Sequence, residues 1–349
     1  MRFGVAFPSY IDIYKEAREL ETIGFDSCWL YDSPMVYSDV YATLALAAFQ
    51  TSRIMLGTAV SVAQNRIAPV TAHSIATINE LAPGRTSLGF ATGNTARRVM
   101  GMPPVTMGEF RRECETIRDL LRGGVATYHE GARSSKVRLV HQADGFIRLN
   151  PRIPFYVGAT GPKTTALAGE VGDGLIASAA IGMELKQSID NARAARAAAG
   201  ITEPFKVVAM LGAYVTAPGE APDSSDAREA LGPMILAFLR YALDNFRGAR
   251  SEMPEYLAAF AAEVDKIPEP RHLQLYDRYF IGIPERFARF VNAETIAAMT
   301  VSGPPDLVRQ KAEETFRAGA DEIVLWPLSN GRAIDNFRRF HETVLKKMR

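Results

Sequence analysis

Cysteine is nearly missing from this chain: Cys28 and Cys114 are the only two. So distant a pair offers no disulfide framework and no thiolate metal site. Both fall at apolar-patterned positions and read as buried free thiols. The five histidines, His73, His129, His141, His272 and His341, lack ligand spacing as well, so no metal centre is expected. An excess of charge of one sign is also lacking. Forty basic residues face 39 acidic ones, a net charge of +1, which gives no electrostatic reason to expect nucleic acid or an acidic membrane as a partner. No apolar run is long enough for a membrane span. The chain opens directly on the strand-like Arg2-Phe-Gly-Val-Ala-Phe7, without a basic then apolar leader, and reads as cytoplasmic.

What is present describes a globular protein with a sizeable core: 47% hydrophobic and 23% charged residues over 349 positions. That length suits two average domains or one (β/α)8 barrel carrying an insertion. Apolar runs and helix-periodic segments alternate throughout. Strands are predicted at 2–8, 27–32, 54–61, 86–92, 154–159, 174–179, 206–215 and 322–327. Helices are predicted at 12–23, 39–51, 69–82, 107–122, 162–171, 183–199, 305–318 and 334–347. Glycine closes several helices just before the next strand, at Gly24, Gly172, Gly200 and Gly319. Eight βα pairs predict an α/β fold of the TIM-barrel kind. The rival, an open doubly wound sheet, would place a phosphate loop after the first strand, where Pro8-Ser-Tyr-Ile-Asp12 has no glycine pattern.

Two segments interrupt the repeat. Residues 127–150 read as a short hairpin before the fifth strand. Residues 217–303 read as a long helical insertion after strand seven, within a single domain spanning 1–349. The insertion opens on Ala217-Pro-Gly-Glu-Ala-Pro-Asp-Ser-Ser225, expected to be mobile because few apolar residues anchor it. It continues with Phe238, Tyr241, Phe246, Tyr256 and Phe260. Leaving from the C-terminal end of a strand, it is expected to be a lid or pocket wall; the alternative is a helical decoration for subunit contacts. Deletion of 221–265 is expected to spare cofactor phosphate binding and abolish turnover.

The stretch Phe155-Tyr-Val-Gly-Ala-Thr-Gly-Pro-Lys163 carries the clearest chemistry. A strand that stops at glycines and turns into a helix exposes backbone N–H groups at the positive end of the helix dipole. With the Lys163 ammonium, Gly158, Thr160, Gly161 and Pro162 form a site suited to phosphate. Pro162 loses nothing at the first helical position. The bland alternative is an ordinary βα turn.

Four segments together resemble the bacterial-luciferase-like flavin and deazaflavin oxidoreductases, most closely their methylenetetrahydromethanopterin-reductase-like branch. They are Trp29-Leu-Tyr-Asp32 with Asp39-Val-Tyr-Ala-Thr-Leu-Ala-Leu46; Thr51-Ser-Arg-Ile-Met-Leu-Gly-Thr58 leading to Asn65-Arg66 and Ala76-Thr-Ile-Asn-Glu-Leu-Ala-Pro-Gly-Arg85; Leu88-Gly-Phe-Ala-Thr-Gly-Asn94; and Gly158-Ala-Thr-Gly-Pro-Lys163 with Ala168-Gly-Glu-Val-Gly-Asp-Gly174. The resemblance implies a flavin or deazaflavin ring at the C-terminal mouth of the barrel. Its phosphate would lie at Thr160–Lys163, and Thr92, Gly93 and Asn94 would lie beside the ring and its side chain. Asp32 would sit near the ring edge, and a non-prolyl cis peptide is implied at Ala59–Val60. Ser33 and Asn94 stand where some sugar-phosphate dehydrogenases of the family have His and Glu, so neither supplies that acid/base pair.

The cofactor implied is reduced FMN, with the deazaflavin coenzyme F420 as the alternative. The function implied is a luciferase-like monooxygenase using oxygen on a small organic substrate. The alternatives are a deazaflavin-dependent reductase or dehydrogenase working without oxygen, and a non-catalytic flavin-binding barrel. Candidate catalytic residues are Asp32, Asn94, Tyr37 and Arg66, with Tyr10 and Asn65 as further pocket residues. Expected partners are the substrate, a separate flavin reductase for the FMN reading, and copies of the chain in a dimer or tetramer.

Overall fold

A computed structural model describes every residue except 143, 180, 181 and 330–332. Eight strands close into a barrel: β1 (Arg2–Phe7), β2 (Ser27–Leu30), β3 (Met55–Val62), β4 (Thr86–Ala91), β5 (Phe155–Gly158), β6 (Gly174–Ser178), β7 (Lys206–Leu211) and β8 (Glu322–Leu325). Their order around the barrel is β1-β8-β7-β6-β5-β4-β3-β2, and each neighbouring pair is parallel. The strands are buried almost throughout; β6 has no exposed position. Burial on both faces is why they appear in the sequence as continuous apolar runs instead of alternating ones.

Eight helices cover the barrel: α1 (Ile13–Ile23), α2 (Val40–Gln50), α3 (Ala68–Leu81), α4 (Met107–Leu121), α5 (Pro162–Val171), α6 (Leu185–Ala198), α7 (Pro305–Arg317) and α8 (Ala333–Phe340). Local chemistry sets several of their ends. Gly24 closes α1 in the left-handed region, φ 112°. Thr106 and Glu109 satisfy each other's backbone N–H groups in a capping box that starts α4. The last helix continues through a π-helical stretch, His341–Leu345, into Lys346–Met348.

The structure corrects four expectations. The strand read over 206–215 is two: β7 stays in the barrel, while Ala213–Val215 pairs in parallel with Val301–Gly303. Between them, a Cβ on Gly212 would lie 2.6 Å from the Met234 side chain, so the bare backbone lets the insertion pack where the chain leaves the barrel. The hairpin is Ala126–Glu130 with Arg133–Val137, and Phe146–Leu149 is not a strand. The opening of the insertion has polar anchors in place of the missing apolar ones. The Glu220 carboxylate accepts from Ala217 N–H (2.6 Å), Ser224 Oγ (2.6 Å) and Tyr214 OH (2.9 Å), and Ser302 Oγ donates to the Pro222 carbonyl at 2.5 Å.

The fourth correction concerns the insertion helix Ser225–Asn245. Positions 230–240 are all buried, and Leu231, Ile235 and Leu239 belong to the same hydrophobic core as the barrel. Deleting 221–265 would therefore open that core, so it is not a clean lid deletion.

Candidate functional site

A cavity of about 240 Å³ opens at the C-terminal mouth of the barrel, where TIM-barrel sites are built. Every strand except β1 contributes lining from its C-terminal end or the turn that follows. One side is built from small residues: Ala59 and Val60 of β3, Ala91 of β4, Gly158 of β5 and Ala177 of β6. A Cβ on Gly158 would come within 3.0 Å of Val60 and 3.2 Å of Ala91. Glycine here keeps a shallow, flat apolar floor, the shape a planar tricyclic ring requires. The Ala59–Val60 peptide is cis.

Hydroxyls and amides rise from the edge of that floor. Thr92, Gly93, Asn94 and Thr160 all line the cavity. Gly93 has φ 82° and caps the short helix Asn94–Arg98, an element not foreseen from periodicity. Asn94 Oδ1 accepts from Arg98 Nε at 2.8 Å, and Arg98 Nε lies 3.2 Å from Asp244 of the insertion helix. Thr160 Oγ1 accepts from Tyr241 OH at 2.5 Å, so the insertion helix clasps the turn after β5.

Gly161, Pro162 and Lys163 lie beside the cavity lining, at the start of α5. Gly161 has φ −131°, an ordinary extended conformation, and a Cβ there would meet nothing within 4 Å. Its value is the open space above an exposed helix N-terminus, not a strained turn. Lys163 is exposed and has no ion pair among the described residues. The donors, the dipole and the spare ammonium suit a phosphate next to the flat floor. The residues present thus fit a phosphate-bearing flavin or deazaflavin.

The candidate catalytic residues fall into two groups. Asp32, Tyr37 and Asn94 line the cavity; Arg66 does not. Arg66 reaches Asp32 at 2.6 Å and Asp39 at 2.5 Å, and lies over the Tyr41 ring. That guanidinium is taken up by two carboxylates, which explains why it has no free face for an anion. Asp32 is 3% exposed, and burial holds its carboxyl above the usual range although Arg66 pulls the other way. Tyr37 OH donates to the Tyr279 carbonyl at 2.8 Å. Tyr10 is exposed and outside the lining, and Asn65 is half-buried with both side-chain polar atoms unpartnered among the described residues.

The opposite wall is aromatic and went largely unread in the sequence. Phe238 and Tyr241 of the insertion line the cavity, but Phe260 packs away from it against Phe287 and Phe290, and Tyr256 is exposed. Tyr31, Tyr279, Phe280 and Trp326 complete the wall. The signals for them were the run Tyr276-Asp-Arg-Tyr-Phe280 and the position of Trp326 just past the end of β8.

Comparison with known proteins agrees with this geometry. Residues 4–322 match the family model described as luciferase-like monooxygenase. The chain is 28% identical over 333 residues to 5,10-methylenetetrahydromethanopterin reductase of Archaeoglobus fulgidus, covering 93% of this chain and 92% of that protein. It is 34% identical over 178 residues to the F420-dependent glucose-6-phosphate dehydrogenase of Beutenbergia cavernae, 47% of this chain and 52% of that one. Among solved structures, the coenzyme F420 dependent tetrahydromethanopterin reductase of Methanopyrus kandleri superposes with a TM-score of 0.71 at 22% identity, covering 100% of this chain and 99% of that one. A closed eight-stranded barrel with the flat floor at its mouth, matched over nearly its whole length by that model, makes this chain an oxidoreductase of the luciferase-like monooxygenase family.

Proposed function

We propose that this chain is a deazaflavin-dependent oxidoreductase that moves a hydride to or from a small organic substrate without oxygen. The observation that carries the reading is the flat floor of Ala59, Val60, Ala91 and Gly158 beside the open N-terminus of α5 with its unpaired Lys163. The preference for deazaflavin over FMN is supported by the F420-dependent dehydrogenase relative. It reverses the order in which the sequence alone ranks the two cofactors. A bound deazaflavin supplies the hydride chemistry itself.

The residues of the chain supply position, dryness and one proton store. Gly161–Lys163 and the α5 dipole hold the phosphate, and Gly158 lets the ring lie against backbone. Phe238 and Tyr241 of the insertion helix exclude water from the reduced ring. Asp32, buried in the cavity lining with its carboxyl raised, would be able to hold a proton that the substrate gains or loses beside the hydride, while Arg66 fixes its orientation. Asn94 and Ser33 orient by hydrogen bonding and do not titrate near neutral pH.

The second reading, reduced FMN with oxygen as in a monooxygenase served by a separate flavin reductase, is favoured by the same floor and by the family as a whole. A barrel without turnover is disfavoured, because the relatives matched above carry enzyme names. Anaerobic absorbance titration with F420 and, separately, FMN decides between the two cofactors. The expected result is F420 binding at least tenfold tighter than FMN and no substrate-dependent oxygen consumption. Tighter FMN binding with oxygen uptake would establish the monooxygenase instead.

A further inference from the structure

Buried donors without partners concentrate against one short segment of the insertion. Trp326 Nε1 and Tyr31 OH are both buried and unpartnered among the described residues, and so are Arg240 Nε and Nη2. Phe280 packs on the first two and Tyr279 on the third. The Phe280 ring lies flat on the Trp326 indole, centroids 5.6 Å apart and planes within 6°, with Tyr31 5.5 Å away. Phe238 stands edge-on to the same indole at 5.2 Å. Phe280 thus fills a slot with aromatic faces and two unpartnered donors at its sides. A phenyl ring satisfies the faces and leaves both donors empty, an arrangement that native proteins avoid unless something else uses the site.

The segment that carries the ring is set unusually. Arg278 and Phe280 both have positive φ, 53° and 59°, although neither is glycine. Two hydroxyl-to-carbonyl bonds hold it down: Ser329 Oγ to Phe280 O, and Tyr37 OH to Tyr279 O, each 2.8 Å. Strain of this kind gathers at ligand clamps. The slot is on the β8 and β2 side of the mouth, while the floor of small residues runs from β3 to β6.

We propose that Tyr31 and Trp326 form the substrate subsite, selecting a flat, apolar molecule with one acceptor oxygen, and that the Phe280 ring is a stand-in which this molecule displaces. The inference rests on the oxidoreductase reading only in calling the occupant a substrate. An indole N–H can only donate, so it needs an acceptor. Burial keeps the Tyr31 phenol protonated, far above its usual range, so it donates too. The Tyr31 and Trp326 rings lie 6.0 Å apart, so a carbonyl or hydroxyl oxygen on a flat ring between them would accept from these donors while its body takes over the stacking on Trp326. A hydrocarbon of equal shape satisfies neither.

The test is calorimetric titration of the full chain with 1-indanone and, as its counterpart without oxygen, indane. Indanone should bind about tenfold tighter. Tyr31→Phe should erase most of that preference while leaving indane affinity within twofold, and Trp326→Phe should erase it while weakening both probes, because the stacking face goes too. Phe280→Leu should tighten both probes about threefold or more, with near-ultraviolet circular dichroism confirming the fold. Equal affinity for the two probes, no detectable indanone binding, or a Tyr31→Phe variant that keeps the preference would overturn the proposal. A Phe280→Leu variant that weakens both probes would show that Phe280 is a fixed wall and would overturn the stand-in. Absorbance titration with F420 on the same samples tests the cofactor reading separately: lost coenzyme binding with indanone preference intact sinks only that reading.

Discussion

The two tryptophans of this chain sit in opposite halves of the same barrel and are treated oppositely. Trp29, on β2, turns its indole N–H to residues that begin their strands: it donates to Ser27 Oγ at 2.8 Å and lies 3.2 Å from Glu322 Oε1. Ser27 in turn donates to Glu322, whose other oxygen is 3.7 Å from Arg2. Trp326, at the C-terminal mouth, has no partner for its N–H among the described residues. The buried polar groups of the bottom are closed among themselves, while several at the mouth are left short. Complete pairing serves one fixed arrangement; incomplete pairing leaves room for a ligand to complete it.

Glu322→Ala is the most direct way to break that contrast from below. It leaves the Ser27 hydroxyl without its acceptor, while Trp29 keeps only its bond to Ser27 Oγ, and it opens a hole, so equilibrium denaturation should report a loss on the order of 2–4 kcal/mol. Cofactor titration of the protein that remains folded should be unchanged. A loss under about 1 kcal/mol would mean that the bottom network is not what closes this end.

Glu113 sharpens the comparison at the upper end. Its carboxylate accepts from Gln64 N–H at 3.3 Å, in the turn that carries Arg66, and burial raises it to about 7. The folded protein therefore holds this proton more tightly than the unfolded chain. The stability it lends is complete below the ordinary 4.5 and lost as the pH climbs through about 7. Glu113→Gln, which cannot ionise, should stabilise the protein at pH 8 by roughly 1–3 kcal/mol and hardly at all at pH 4. A thermal shift of equal size at both pH values would contradict that assignment.

Gly161→Leu separates binding from folding at the mouth. Its φ of −131° suits any residue and its Cβ would point into open space, so the melting temperature should not move. A leucine side chain over the α5 N-terminus should weaken cofactor binding by more than tenfold, or ~1.4 kcal/mol. Unchanged titration would remove the phosphate from that turn. The smallest effect is expected for the difference between Trp326→Phe and Trp29→Phe. Both give up ring volume, but only Trp29→Phe also breaks a hydrogen bond, so it should cost roughly 1 kcal/mol more.

The parts visible in the sequence were those set by neighbours along the chain. Buried parallel strands are apolar on both faces, so all eight could be read, and the turn Gly158–Lys163 announced itself by glycine and proline spacing. Partnership across the fold could not be read. Arg66 meets Asp32 and Asp39 only after β2 and β3 lie side by side. The split of 206–215 at Gly212 depends on Met234, which lies on a helix whose packing no local pattern reveals. The aromatic wall was hidden for the same reason. Tyr279 and Phe280 belong to an insertion without periodic strands, and an empty donor can be recognised only when its whole surroundings are known.

The short parallel pair Ala213–Val215 and Val301–Gly303 has a consequence for how such a barrel diversifies. The insertion leaves and returns at adjacent rungs, with Ala213 beside Val301 and Val215 beside Gly303. Its ends are pinned a few ångströms apart whatever lies between them, so the closure entropy of the excursion rises only as the logarithm of its length. Descendants can exchange one excursion for another of different size without shifting the register of β7 or β8. They cannot omit it, because Leu231, Ile235 and Leu239 plug the core. Catalytic ancestry and substrate taste can therefore be inherited on separate stretches of one gene.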